Sequence, residues 1–226
     1  MQKVFILLVI AILMQNLREL NIQLTKKSLK EETTRDVLII QAIHTIDELI
    51  KIINKLVANL RERYGYYAPK SSRLEDIDSL IECISLKVKE EDIGIDMNEK
   101  DLSSLIELAD EIKNLRKILE SQELYLEELT IEICPKLSKA ATPLIAARLI
   151  DHAGSLKHLA ELPSSTIQVL GAEKALFRHL KTGAKSPKFG VIFAHHSISS
   201  SENKGKASRQ LASEISKSVK IDYFRK

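Results

Sequence analysis

The sequence predicts an all-α protein in which a long antiparallel coiled-coil arm precedes a compact, mainly helical domain with at most a small β-hairpin. Only 4% of the 226 residues are aromatic, none is tryptophan, and there are seven glycines and five prolines. This composition favours helices over a β-sandwich or barrel. Two long stretches repeat apolar residues at alternating steps of three and four, which is typical of paired helices. Short helical patterns separated by Gly and Pro follow Pro135.

Residues 1–20 are predicted to be a separate apolar segment. Residues 4–14 form an unbroken apolar run behind Lys3, and this run is shorter than the roughly 20 residues that span a bilayer. The residues after it offer no small-residue cleavage site of the kind that follows a signal peptide. We therefore expect a helix that packs on the chain or on a partner, with no membrane association.

Residues 21–134 are predicted to form the coiled-coil arm. Within residues 37–60 an apolar seam runs through Ile39, Ile43, Ile46, Ile50, Ile53, Val57 and Leu60. A helix end is expected at residues 64–69, where Gly65 and Pro69 lie among three tyrosines, and a short amphipathic helix at 74–88. The return helix starts after Asp96 or Asn98 as its cap and carries the matching seam. Gln122 is the polar member of that seam and is expected to fix register.

The seam residues are also the candidates for pairing with a second chain. We predict coiled-coil dimerisation through Ile43, Ile46, Ile50, Ile53, Ile112, Leu115, Leu119 and Leu126. His44, beside the seam, is expected to be a flanking residue and not a ligand.

Residues 135–226 are predicted to form the compact domain. Helices are expected at 144–149, 156–162, 172–180 and 208–219, and the β-branched runs at 166–170 and 191–193 could pair as the small hairpin. Leu176, Phe177 and Leu180 are expected to be core residues. Gly171 is expected to serve the backbone by allowing a tight turn into the third of these helices.

Charge is divided unevenly along the chain. Residues 1–139 contain 20 basic and 25 acidic residues, net −5, whereas residues 140–226 contain 14 and 6, net +8, together with five of the six histidines. The basic half is where a polyanion would bind. Cys83 and Cys134 have no metal-ligand spacing and are expected to be buried thiols. A metal site is therefore not expected, and no paired-carboxylate site for acid–base catalysis is apparent.

The stretch GAEKALFRHLKTGAKSPKFGVIF, residues 171–193, resembles the signature of the Nop domain. This domain is found in the core proteins of box C/D small ribonucleoproteins, including archaeal members, and in a related splicing factor. The resemblance extends upstream through ATPLIAARLIDHAGSLKHLAELPSSTIQVL and downstream through GKASRQLASEISKSVKIDYF. Residues 21–65 and 107–138 resemble the two long helices of the family's coiled-coil domain.

The resemblance implies a scaffold that is not an enzyme and needs no cofactor. Such a scaffold binds the composite surface of a kink-turn RNA and its small kink-turn-binding protein, of ribosomal type, and pairs with another Nop-family chain through the coiled coil. In the family a further N-terminal domain holds fibrillarin, which methylates ribose 2′-hydroxyls. No stretch here resembles that domain, so direct recruitment of fibrillarin is not expected. The expected location is the nucleolus of a eukaryote or the cytoplasm of an archaeon.

By matched position, the resemblance assigns RNA and protein binding to Glu173, Lys174, Arg178, Lys181, His195, Lys206 and Arg209. Arginine can fork a phosphate and lysine supplies a point charge. Glu173 is better suited to a base edge or to a basic group on the protein partner. A catalytic or metal role for His195 and His196 is disfavoured, because adjacent residues of an extended segment point to opposite faces.

Two other functions remain open at this point. One is a structural coiled-coil adaptor without RNA binding, and the other is a splicing-type scaffold that grips a different kink-turn RNA.

Overall fold

The computed structural model describes residues 14–28, 34–89 and 94–224. Two compact units divide the chain between Leu38 and Ile39. The described part of the first unit contains helix α1, residues 14–28, whose side chains are exposed. Most of the predicted apolar run, residues 4–13, lies outside the described residues. Among the described helices, none combines the length and the apolar character that crossing a membrane requires.

The arm is built from three helices, α2 (Asp36–Gly65), α3 (Ile77–Ser85) and α4 (Glu99–Ile133). Asn98 is the N-cap of α4: its side chain accepts the Asp101 N–H at 2.9 Å while the Asp101 carboxylate accepts the Asn98 N–H. This reciprocal capping box satisfies two backbone donors at the helix start. It settles the choice between Asp96 and Asn98 in favour of Asn98.

The two long helices run antiparallel, as predicted. Ile39, Ile43 and Ile46 near the start of α2 share an apolar cluster with Leu126 and Leu129 near the end of α4. At the other end of the arm, Ile53, Val57 and Leu60 of α2 cluster with Leu105, Ala109 and Ile112 of α4. The second cluster also includes residues of α3 and two tyrosines, Tyr64 and Tyr67, whose ring centroids lie 5.9 Å apart.

The C-terminal part consists of helices joined by loops and turns along its described length. Its helices are α5 (Pro135–Ala141), α6 (Pro143–Ala153), α7 (Leu156–Glu161), α8 (Ser164–Val169), α9 (Glu173–Thr182), α10 (His196–Ser199) and α11 (Lys204–Phe224). Short 3-10 turns lie at Ser71–Arg73 and Val191–Ala194. The predicted all-α class is confirmed. The division of the chain at residues 20 and 134 stays a prediction.

The two β-like runs do not form a hairpin. Residues 166–170 belong mostly to α8 and residues 191–193 to a 3-10 turn, and the described residues contain no strand. The runs do meet, because the Gly190 N–H donates to the Gln168 carbonyl at 2.9 Å and the Val191 N–H to the Leu170 carbonyl at 2.8 Å. Propensity for β-structure is overridden here by packing of Ile167 and Ile192 in a helical core.

The base of the arm and the C-terminal helices share one apolar core. It joins the cluster at the start of α2 and the end of α4 to buried residues of α5, α6, α7, α8, α10 and α11. Two polar contacts lie at the junction: Arg148 of α6 forms an ion pair with Asp47 of α2 at 2.8 Å, and the His44 Nε2 lies 2.7 Å from the Asp151 carboxylate. The C-terminal helices are thus packed against the arm.

A carboxylate from the far end of the chain caps the helix that follows the arm. The Asp222 side chain on α11 accepts the N–H groups of Lys136 at 3.2 Å and Leu137 at 2.8 Å. Those amides belong to the first turn of α5, where backbone donors have no intrahelical partner and negative charge is favoured. Pro135 occupies the first position of that helix, where the N–H that proline lacks would have had no intrahelical partner.

We expect Asp222→Ala to lower the free energy of unfolding by about 1–2 kcal/mol, because it leaves the first turn of α5 without its cap. Urea denaturation measures the loss. Glu214→Ala is the matched control, since Glu214 is exposed on the same helix and should change stability by less than about 0.5 kcal/mol. Equal losses in the two variants would contradict the capping role.

Candidate nucleic-acid interface

Helix α9 stands out from the domain. It follows Gly171, ends at Gly183 with φ of 68°, and contains no buried residue. Ala175 and His179 are half-buried, and the His179 Nδ1 is hydrogen-bonded to the Ala184 carbonyl just beyond the helix end. The helix therefore contacts the rest of the chain along one narrow side only.

The prediction that Leu176, Phe177 and Leu180 are core residues is wrong. Their exposed fractions are 36%, 67% and 71%. Helical spacing correctly places them on one side of α9, but that side faces solvent because the half-buried side is made of Ala175 and His179. Exposed apolar side chains of this size, grouped together, are typical of an interaction surface.

The exposed surface of α9 has two chemically distinct sides. With about 100° between successive residues, Lys174, Arg178 and Lys181 fall within about 60° of one another. The apolar Leu176, Phe177 and Leu180 fall within about 100° on the neighbouring side. None of the three cations takes part in an ion pair with another described residue. The helix thus presents a cationic side next to an apolar side.

The side chain of Glu173, the first residue of α9, is turned back toward the turn that precedes the helix. Its carboxylate accepts the Gly171 N–H at 2.6 Å. Partial desolvation raises the pKa of this carboxyl, but the backbone N–H groups of Glu173 and Gly171, together with nearby His152, outweigh desolvation and hold the pKa below its ordinary value. The carboxylate therefore stabilises the turn into α9, a role that the sequence did not indicate.

Gly171 has the backbone role that was predicted. Its φ is 85°, and a Cβ at this position would lie 2.4 Å from the Val191 Cγ2. Any larger residue would strain the backbone and push the 3-10 turn away.

The other three predicted binding residues lie in a second region. His195 caps α10, with its Nδ1 accepting the Ser197 N–H at 3.3 Å, which leaves Nε2 for a further contact. Lys206 and Arg209 are exposed in the first two turns of α11, and α10 packs against α11. Among the described residues, no hydrogen bond or ion pair joins these side chains directly to the cations of α9.

Sequence reasoning missed an aromatic stack beside this second region. The rings of Phe189 and Phe193 stack with centroids 4.5 Å apart and an angle of 12° between their planes, and the Lys204 Nζ lies 5.3 Å from the Phe193 ring centroid. Phe193 is partly exposed. The spacing of two phenylalanines around Gly190 was the available signal, but only the fold shows that the rings meet.

The predicted dimerisation residues are used largely within the chain. Ile43, Ile46, Ile53, Ile112 and Leu126 are buried in the two cores. Ile50, Leu115 and Leu119 are half-buried. Their role in pairing with a second chain stays a prediction.

The described part of the chain shows no cluster of three or more His, Cys, Asp or Glu side chains that could hold a metal ion. Cys134 is a buried free thiol and Cys83 a half-buried one.

We expect the Gly171 amide to report the ionisation of Glu173. In a pH titration followed by proton–nitrogen NMR, its chemical shift should change with a midpoint below the ordinary glutamate pKa of about 4.3. Because the pKa is lower in the folded state, stabilisation by this carboxylate is present above the unfolded pKa and is lost as pH falls through the folded pKa. Glu173→Gln should abolish the titration, and an unresponsive Gly171 amide in the wild type would contradict the contact.

Comparison with known proteins shows the family to which the chain is similar. The Nop family model, described as "snoRNA binding domain, fibrillarin", matches residues 42–226. Nucleolar protein 58 of Schizosaccharomyces pombe is 37% identical over 216 residues, covering 83% of this chain and 42% of that protein. Nucleolar protein 56 of Mus musculus is 35% identical over 221 residues, covering 84% and 38%. The chain spans about two fifths of the length of these curated relatives.

A solved structure shares the fold. It is described as a crystal structure of a fibrillarin/Nop5p complex, and the match has a TM-score of 0.58 and 26% identity, covering 93% of this chain and 70% of that one. The family model covers the arm and the C-terminal helices together, including α9 and both groups of predicted binding residues. From these matches and the arrangement just described, the chain belongs to the Nop family.

Proposed function

We propose that the chain is a non-catalytic scaffold of a box C/D ribonucleoprotein that guides ribose 2′-O-methylation. It binds the composite surface formed by a kink-turn RNA and its kink-turn-binding protein. The observation that carries this proposal is helix α9, which presents a cationic side and an apolar side next to each other. A composite surface of RNA and protein requires cationic groups for the RNA and apolar groups for the protein next to each other.

The cationic side suits the RNA backbone. Lys174, Arg178 and Lys181 project from a helix with little other packing, and His195, Lys206 and Arg209 add a second basic region. Phosphate binding by such cations releases counterions and makes affinity depend on salt. The stacked Phe189 and Phe193 offer a platform for an unpaired base, as in other proteins that bind irregular RNA.

The apolar side suits the protein partner. Leu176, Phe177 and Leu180 form a compact exposed group, and the centre of a protein interface is depleted of charge and enriched in aromatic residues. Burial of Phe177 would contribute about 1.5–3 kcal/mol of apolar transfer free energy. RNA alone would leave this side exposed, so tight binding should require the kink-turn-binding protein.

We expect two double variants of α9 to fail in different ways when they are titrated with a box C/D kink-turn RNA. Lys174→Ala with Arg178→Ala should weaken binding and reduce the magnitude of the salt slope by about 2, since about one unit is lost per phosphate contact. Phe177→Ala with Leu180→Ala should leave the slope unchanged. It should cost at least about tenfold in affinity when the kink-turn-binding protein is present, as truncation of interface anchors does.

Lys217→Ala with Lys220→Ala is the matched charge control, because both lysines are exposed near the other end of α11. An equal effect of this control and of the Lys174 and Arg178 variant would reduce the interface to non-specific charge. No shift by the wild type at low salt, with or without the protein partner, would leave the coiled-coil adaptor as the better function.

We further propose that the arm pairs with another Nop-family chain through side chains outside its own seam. The seam residues are buried or half-buried within the chain, whereas Ile52 of α2 and Ile118 and Tyr125 of α4 are exposed. Ile118 and Tyr125 are seven residues apart and therefore lie on the same side of α4. These apolar side chains are available to a second arm without opening the first.

We expect Ile118→Glu with Tyr125→Glu to convert a two-chain particle into a single folded chain, measured as molar mass by light scattering. Ile46→Ala should behave differently: it should lower the free energy of unfolding by about 2–5 kcal/mol, because it opens a cavity in the core. An unchanged mass in the double glutamate variant would refute this interface.

Two features of the wider assembly follow from the relatives. The relatives are named nucleolar proteins, which supports a nucleolar location in a eukaryotic cell. The solved relative is described with fibrillarin, which supports fibrillarin as the methylating member of the same assembly. The splicing-type alternative would appear as tighter binding to a spliceosomal kink-turn RNA than to a box C/D RNA.

A further inference from the structure

Helix α9 lies in an excursion of the chain, residues 171–189, that leaves the body of the domain and returns to it. The residues that flank the two ends of this segment are hydrogen-bonded to each other. The chain leaves the body of the domain after Leu170 and returns at Gly190. There the Gly190 N–H donates to the Gln168 carbonyl at 2.9 Å and the Val191 N–H to the Leu170 carbonyl at 2.8 Å. We call these paired ends the neck. A Cβ on Gly190 would lie 1.9 Å from the Leu170 oxygen, so the two segments touch as closely as backbones can.

The side chain of Gln168 fastens the same neck to a third element. Its Nε2 donates to the Lys188 carbonyl at 2.6 Å and to the Ser208 Oγ at 3.1 Å. Ser208 lies on α11 and is fully buried, and its hydroxyl is 3.1 Å from the Gly205 carbonyl and 3.3 Å from that of Lys188. One amide group therefore joins α8, the returning loop and α11.

Glutamine is suited to this position by its chemistry. A primary amide supplies two N–H donors from one nitrogen, and here both point to oxygens on different elements. A side chain without donors would leave the Lys188 carbonyl dependent on the weaker contact from Ser208.

The neck matters because apolar packing does little to hold α9. No residue of α9 is buried, so its packing against the domain constrains its orientation weakly. The loop from Gly183 to Phe189 carries Lys185 and Lys188 and leads into the stacked phenylalanines. The direction in which all these groups point is set by where the two ends of the excursion are fixed.

We propose that Gln168 is a positioning residue for the composite RNA and protein surface: it clamps the neck of residues 171–189 and so pre-orients α9 without touching either ligand. This inference rests on the proposed function of α9. A binding surface that is already ordered loses less conformational entropy when its ligand arrives. Loss of the clamp should therefore weaken binding although every contact residue is still present.

The test compares Gln168→Met, which keeps the length of the side chain but has no donors, with Gln210→Met, an exposed glutamine on α11. Hydrogen exchange of the Gly190 and Val191 amides reads the clamp directly. Loss of one or two hydrogen bonds of ordinary strength should speed their exchange by about 5–50-fold, while amides of α6 stay protected. Gln210→Met should change neither group.

Binding is then titrated with a box C/D kink-turn RNA and its kink-turn-binding protein. Gln168→Met should lower affinity by at least about fivefold, in proportion to the loosened neck. The salt slope should not change, since no cation has been removed. Ser208→Ala, which retains the bond from Gln168 to Lys188, should show a smaller effect of the same kind on both exchange and affinity.

Each outcome separates the clamp from the proposed function. Unchanged exchange at Gly190 and Val191 in Gln168→Met overturns the clamp, and faster exchange with unchanged affinity overturns its role in binding. If the wild type binds no complex, the proposed function fails and the positioning role fails with it, while the exchange data still decide whether Gln168 fastens the neck. If Gln168→Met also exposes the α6 amides, its domain has unfolded, and Ser208→Ala then decides by the same two measurements.

Discussion

The structure depends on one shared apolar core at the junction of arm and C-terminal helices. Ile39 and Ile43 of α2 and Leu126 and Leu129 of α4 are buried together with side chains such as Ile215 of α11. Pairing of the two long helices with each other would not be enough to bury this part of the seam, because the C-terminal helices also cover it. The base of the arm is thus packed into the C-terminal domain, and the Asp47–Arg148 ion pair and the His44–Asp151 contact lie at that base.

Because the other helices build this core, α9 does not need to contribute to it. Helix α9 contributes no buried residue, and it leaves Phe177 and Leu180 largely in water. Such exposure forgoes hydrophobic stabilisation that a folded chain would ordinarily gain. A partner that covers these side chains gains that hydrophobic free energy on binding. The exposed apolar side is therefore better explained by binding than by packing within the chain.

Local polar contacts replace packing around α9. The Glu173 carboxylate holds the turn at Gly171, the His179 ring bonds beyond the last turn, and Gln168 fastens the returning loop. These bonds act on backbone groups near the ends of the helix, so they orient it without occupying its two exposed sides. An interface helix can in this way be ordered before its ligand arrives while its binding groups remain accessible.

The sequence by itself determined the helices of the arm, their antiparallel pairing and the helical class of the rest, because the 3.6-residue period is a local property. It also located the cations of α9 through a resemblance.

Only the tertiary structure decided which side of α9 faces water: spacing groups Leu176, Phe177 and Leu180 together, but burial depends on which neighbours the fold brings near. The same holds for the run at 166–170, whose β-branched residues became helical inside a helical core, and for Gln168, whose partners lie 20 and 40 residues away. Contacts at such distances leave no local pattern, so the clamp could be found only once the chain had folded.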